Sequence, residues 1–206
     1  MERVRIGLIT LDMRFASRVR RSAEKMNAEI IHVSDIDELP LTVKSIIARR
    51  EETRMNDPRI IYAEDYQNED ELVERALEIA LGLRNYKVAA VAVDPGKNMG
   101  AAYMVDGRII GTKRYGLIEA LVNDIVRFLK SHGKASRYVL IGSSRGLDIG
   151  GKILDEIKRQ FYGEEVKILR VDEFRTSKWV LPRDRGMSRD EYAALILLLK
   201  NFFRLG

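Results

Sequence analysis

Apolar residues in the first part of the chain fall into alternating strand-like and helix-like blocks. Val4–Thr10 is a short continuous apolar run, suited to a buried parallel strand. Behind it, Phe15, Val19 and Ala23 (or Met26) recur on one helical face, and Asp12 stands where it can cap that helix. Ala28–Val33 reads as the next strand, and Ser34 opens a less regular helical stretch through Leu39 to Ile46 and Ile47. Arg59–Ala63 reads as a third strand. Asn68 followed by Glu71 resembles a capping box, starting a helix through Leu72, Ala76, Ile79 and Leu83. This β-α-β-α-β-α order predicts a small three-stranded parallel α/β domain with right-handed crossovers.

A second pattern begins after Gly82–Lys87, so the chain divides into a small domain over 1–86 and a larger one over 87–206. Val88–Val93 is a continuous β-run. A second strand is expected at Ala101–Val105 and a third at Arg108–Arg114, joined by Asp106-Gly107, a strong two-residue hairpin turn. Leu117–Leu129 follows as a helix, then a strand at Tyr138–Ile141, a helix over Ile149–Phe161 and a strand at Val166–Val171. Ser188 with Glu191 has the capping-box spacing and opens a last helix to Phe203. The order β-β-β-α-β-α-β-α predicts a mixed sheet: three antiparallel strands lead into two that run parallel to the first, with helices packed on them. One long irregular stretch, Thr176–Met187, is of the kind that often carries function.

Composition narrows the chemistry. The 206 residues include no Cys and two His, His32 and His132, which removes disulfides, thiolate zinc sites and thiol catalysis. Carboxylates, hydroxyls, Lys/Arg and backbone amides remain. No apolar stretch approaches the roughly 18 residues of a membrane helix, and the first apolar run is too short for a signal segment, so a cytoplasmic protein is expected. The net charge of +5 is unevenly spread: residues 1–87 carry 15 Lys/Arg against 17 Asp/Glu, whereas residues 88–206 carry 21 against 14. A polyanion would dock on the second part; a merely solvated basic surface is the plain reading of the same numbers. The first part has no glycine-rich nucleotide fingerprint, since Thr10-Leu-Asp-Met-Arg lacks the glycines for close phosphate approach.

Three acids occupy telling positions. Asp94 ends the first strand of the second part, Glu173 ends its fifth strand, and Asp190 lies in the first turn of the last helix. If the two strands are parallel, Asp94 and Glu173 emerge at one sheet edge, and a helix starting there would add Asp190. Clustered carboxylates raise one another's pKa unless a cation offsets the charge, and oxygen-only sites suit Mg²⁺ or Mn²⁺. Paired ions of this kind stabilise both the attacking and leaving oxygens of phosphodiester hydrolysis. Each acid also has a structural use. Asp94 can open the Pro-Gly turn, Asp190 is favoured by the helix dipole, and Glu173 can end a solvated strand.

Val91-Ala-Val-Asp-Pro-Gly-Lys-Asn-Met-Gly-Ala-Ala resembles the first-strand Asp-x-Gly-x-x-x-Gly signature of RuvC-type Holliday-junction resolvases and their YqgF-type relatives, which have a ribonuclease-H-like fold. Val171-Asp-Glu-Phe-Arg-Thr-Ser is similar to the YqgF-type Asp-Glu-Arg-x-Thr motif, and Asp190-Glu-Tyr-Ala-Ala-Leu-Ile-Leu to the closing Asp-x-x-Ala-Ala helix. Ile141-Gly-Ser-Ser-Arg-Gly falls where the family has a strand ending in Gly. The resemblance spans about Val88 to Phe203. It implies a metal-dependent nuclease acting on a DNA junction or structured RNA, with Asp94, Glu173 and Asp190 as the catalytic, Mg²⁺- or Mn²⁺-binding acids. It also implies a homodimer, because a junction presents two strands to cut. The departures are Phe174 in place of the motif's Arg, Ser143-Ser144 in place of a Pro-containing loop, and the added residues before Val88.

Lys97, Lys178, Arg183, Arg185 and Arg189 surround these acids in sequence and are the candidate phosphate-binding cations, with Trp179 as a stacking surface or a lid-packing side chain. Two other classes stay open: a nucleic-acid-binding or assembly factor that keeps the fold and cuts nothing, and an ATP-binding fragment of the actin-like kind. The last needs two domains with an Asp-x-Gly hairpin, and the first part does not repeat it.

Overall fold

The computed structural model describes residues 3–205 apart from 54, 84, 144–147 and 172–185. The chain divides into two compact units, Met1–Asn85 and Tyr86–Gly206.

In the first unit, β1 (Val4–Ile9), α1 (Met13–Lys25), β2 (Ala28–Val33), β3 (Ile46–Ala48), β4 (Ile60–Tyr62) and α2 (Glu69–Ala80) follow in order. The sheet order is β2-β1-β3-β4 and every pairing is parallel. The parallel α/β class stands, but the strand number is four, not three. Ile46–Ala48, expected to continue a helical stretch, is the strand between β1 and β4, and only Ile36–Glu38 coils, as a short 3-10 turn. All three residues of β3 are wholly buried, so no polar–apolar alternation marks them, and the β-branched pair Ile46-Ile47 suits a pleated surface better than a helix. Asp12 caps α1, its Oδ1 accepting from the Arg14 and Phe15 amides, while Arg49 approaches Oδ2 at 3.3 Å. Asn68 caps α2 through the Glu71 amide; Glu71 in turn accepts from the Gln67 amide, one residue before the expected partner.

The second unit contains β5 (Val88–Asp94), β6 (Met99–Val105), β7 (Arg108–Tyr115), α3 (Ile118–Ser131), β8 (Ser136–Gly142), α4 (Ile149–Gln160), β9 (Lys167–Val171) and α5 (Arg189–Asn201). Its sheet order is β7-β6-β5-β8-β9, with β5-β6-β7 antiparallel and β8 and β9 parallel to β5. That mixed topology is the ribonuclease-H-like α/β fold. The β6–β7 turn holds Asp106 at φ 45° and Gly107 at φ 80°, the left-handed pair that a tight hairpin requires. Asp106 is also tied back to the sheet: its carboxylate accepts from the Lys87 and Val88 amides at the start of β5.

The two sheet faces are covered differently. One carries α3 and α4, whose Leu121, Val122, Ile125, Phe128, Leu129, Ile153 and Ile157 are buried. The other is covered by α5, which lays Ala194, Leu197 and Leu198 on Ala90, Ala92, Ala102, Met104, Tyr138, Leu140 and Val171. The strand residues under the start of this helix are alanine and glycine, so the helix backbone comes close to the sheet. Among the described residues, no helix is long and apolar enough to cross a membrane.

Candidate functional site

Period-two alternation places Asp94 on the face of Ala90 and Ala92, the face that α5 covers. Asp94 is the last residue of β5, and its partner across the antiparallel ladder is Gly100 of β6. Gly100 in turn pairs with Arg114 of β7. The three residues form one row across the sheet, and the first turn of α5 sits on its middle member. A side-chain carbon at Gly100 would fall 2.8 Å from the Glu191 amide nitrogen and closer still to the Asp190 carbonyl. Since paired Cα atoms lie roughly 5 Å apart, the start of α5 and the end of β5 meet at this glycine. The structure therefore brings two of the expected acids, Asp94 and Asp190, to one end of the sheet.

The helix start is fixed by polar contacts from both sides. Ser188 and Glu191 form the expected capping box: the Glu191 amide donates to Ser188 Oγ at 3.2 Å, and the Ser188 amide donates to Glu191 Oε2 at 2.9 Å. The second oxygen of Glu191 accepts from the Thr112 hydroxyl of β7 at 3.2 Å. Two residues along, on the same face of β7, the Arg114 guanidinium lies 3.1 Å from Asp190 Oδ2. Asp190 and Glu191 also stand in the first turn, where the helix dipole favours a carboxylate by about 0.3–1 kcal/mol. The Asp190 side chain is 30% exposed and that of Arg114 50%, so their pairing is worth at most about 1 kcal/mol.

Lys97, in the turn between β5 and β6, and Arg189, the first residue of α5, are both exposed at this end of the unit. The third expected acid, Glu173, lies outside the described residues, as do Lys178, Trp179, Arg183 and Arg185. What is described of that strand end is Val171, the last residue of β9, which packs in the α5-facing cluster and whose carbonyl accepts from the Ser143 amide at 3.0 Å.

The opposite face of the same hairpin carries a polar network that the sequence reading missed. Tyr115 Oη donates to Asp124 Oδ2 at 2.5 Å and lies 2.7 Å from Tyr103 Oη, while Lys113 Nζ reaches the same Asp124 oxygen at 2.9 Å. Burial works against the charge at Asp124, but the Tyr115 hydroxyl, Lys113 and Arg127 outweigh it and hold the carboxyl below its ordinary range. Burial, with the Tyr103 and Asp124 neighbours adding to it, pushes the Tyr115 phenol far up, so it stays a donor. This network pins α3 to β7 and leaves the α5 face of the hairpin free to hold the helix start. Its sequence signal was the alternation itself: Lys113 and Tyr115 on one face, Thr112 and Arg114 on the other.

No protein-family model matches the sequence, and none of the curated proteins does. Among solved structures, the chain is similar to RuvC of T. thermophilus in complex with a Holliday junction substrate, at 10% identity and a TM-score of 0.43, covering 56% of this chain and 93% of that one. It is also similar to the fowlpox virus resolvase in complex with its substrate Holliday junction DNA, at 17% identity and a TM-score of 0.30, covering 56% of this chain and 74% of that one.

In the first unit, Asp12 lies at the C-terminal edge of the parallel sheet, where ligands commonly bind. Its carboxylate is already engaged as the α1 cap. The Phe15 amide first, then the Arg14 amide and Arg49, hold it below the ordinary carboxylate range against the opposing effect of burial.

Proposed function

We propose that the second unit is a metal-dependent nuclease acting on structured or branched nucleic acid, with Asp94, Glu173 and Asp190 as its catalytic acids. The observation that carries this reading is the seating of the Asp190 turn on Gly100, the strand partner of Asp94. It places two carboxylates from distant parts of the sequence at one sheet end. Glu173 follows β9, a strand parallel to β5, in the sequence and lies outside the described residues, so its share in the site is part of the proposal.

The residues fit a divalent cation. Asp94 and Asp190 offer oxygen donors only, the kind that Mg²⁺ and Mn²⁺ take. Asp94, Asp190 and Glu173 would hold Mg²⁺ or Mn²⁺, which offsets their mutual repulsion and stabilises charge on the phosphodiester oxygens. The chain's own part is to orient. The capping box and Thr112 fix the helix start, and the exposed Lys97 and Arg189, with Lys178, Arg183 and Arg185, offer cations to the phosphate backbone.

The test is incubation of the purified protein with four-way DNA junctions, RNA–DNA hybrids and structured RNA in Mg²⁺ or Mn²⁺. Cleavage is expected and should vanish when Asp94→Asn and Glu173→Gln are combined; cleavage that survives the pair overturns the assignment. A second reading, a binding or assembly factor without turnover, is favoured by the Arg114–Asp190 pair, which neutralises that acid without a metal. Salt-sensitive binding with no cleavage, unchanged by Asp94→Asn, would establish it instead.

A further inference from the structure

Arg114 is neither one of the catalytic acids nor one of the phosphate-binding cations named above, yet it stands where a metal and a phosphate would both be sensed. It belongs to the same cross-sheet row as Asp94 and Gly100, it reaches Asp190 at 3.1 Å, and half of its side chain remains in solvent. Its strand, β7, is one of the two outer strands of the sheet. We propose that Arg114 is a two-position cation: it holds Asp190 when no divalent ion is bound, and turns to the nucleic-acid backbone once an ion takes over that carboxylate.

The inference rests on the metal-site reading and extends it to the order of events. A guanidinium paired to one carboxylate oxygen at a half-exposed position is held weakly, so an ion engaging more than one acid displaces it. The freed fork has the geometry for two phosphate oxygens. Its tether, the β7 backbone, is fixed by ladder pairing with β6 and by the Lys113–Asp124 and Tyr115–Asp124 contacts on the far face, so only the side chain moves. Metal loading and substrate binding become coupled through one side chain, and each strengthens the other.

Two measurements on the full chain test this. The first is Mn²⁺ affinity without nucleic acid, read by the electron paramagnetic resonance signal of free Mn²⁺. Arg114→Gln removes the competitor and is expected to tighten Mn²⁺ by about two- to fivefold, the range a weak surface pair allows. The second is the salt dependence of binding to a fluorescent four-way DNA junction, in Ca²⁺ (to occupy the site while avoiding turnover) and in EDTA. In Ca²⁺ the wild-type slope of log K against log salt should exceed that of Arg114→Gln by about 0.9, one phosphate contact; in EDTA the two slopes should agree. Arg114→Lys keeps a charge at this point and should restore most of the Ca²⁺ slope. Equal Mn²⁺ affinities, or a slope difference that is the same in Ca²⁺ and EDTA, overturn the role of Arg114 while leaving the metal site in place. Wild-type Mn²⁺ binding no greater than that of Asp94→Asn combined with Asp190→Asn overturns the metal reading, and this inference with it.

Discussion

Replacing Gly100 by alanine tests the seat on which the site depends. The added methyl would lie 2.8 Å from the Glu191 amide nitrogen and nearer to the Asp190 carbonyl, and both obstacles are backbone, so no side-chain rotation relieves the overlap. Restoring ordinary contact near 3.5 Å at the Asp190 carbonyl requires the first turn of α5 to lift by about 1.5 Å, a gap that forfeits about half or more of each lost dispersion contact. Overpacking of this kind costs about 1–3 kcal/mol, and a backbone-to-backbone clash belongs at the upper end. Restricting the unfolded chain returns about 0.4–1 kcal/mol, leaving a net loss of about 2–3 kcal/mol. Urea unfolding followed by circular dichroism should show the midpoint of the second unit's transition falling by about 1 M or more at unchanged slope. Gly116→Ala is the matched comparison, since a methyl there meets nothing within 4 Å; it should leave stability unchanged or raise it slightly. A loss below about 1 kcal/mol for Gly100→Ala, or a result matching Gly116→Ala, would refute the claim that α5 rests on this residue.

Three further outcomes are expected. Tyr115→Phe removes the hydroxyl shared by Asp124 and Tyr103 and should cost about 1–2 kcal/mol in the same unfolding assay, with Mn²⁺ affinity unchanged because the network lies on the α3 face. Asp124 titrates below its ordinary value of 3.8 in the folded chain, so its contribution to stability is fully present above that value and is lost as pH falls through the folded pKa. Asp124→Asn should therefore flatten the acid limb of the stability–pH curve below about pH 4 and leave the slope near neutrality alone. Ser188→Ala breaks the capping box and should cost about 1 kcal/mol; because that box fixes the turn carrying Asp190, Mn²⁺ affinity should fall as well.

The hairpins of the second unit were legible because their signals are local. Asp106-Gly107 demands positive φ at both positions, and the run before it, Met99–Val105, is strongly apolar. The last helix was legible in the same way, through Ser188 and Glu191. β3 was not, because three buried residues leave no periodicity to read. Arg114 was hidden by a bulge. Counting back from the turn, Val105 faces Arg108 and Met104 faces Ile109, and unbroken pairing would set Lys113 opposite Gly100. The register shifts by one residue between Met104 and Tyr103, which brings Arg114 there instead and turns Lys113 to the other face. Asp94 and Asp190 stood out as acids at element ends, but their meeting depends on how closely α5 approaches β6, which is a packing fact. Glu173, Lys178, Arg183 and Arg185 lie outside the described residues, so their places remain proposals.

Among the described residues, α5 roofs one side of the second sheet, whereas α3 and α4 share the other. If that roof detaches, Asp190 leaves with it and the greasy surface formed by Met104, Tyr138, Leu140 and Val171 is bared in the same event. A molecule opened in this way is then also a sticky one, a target for chaperones and proteases.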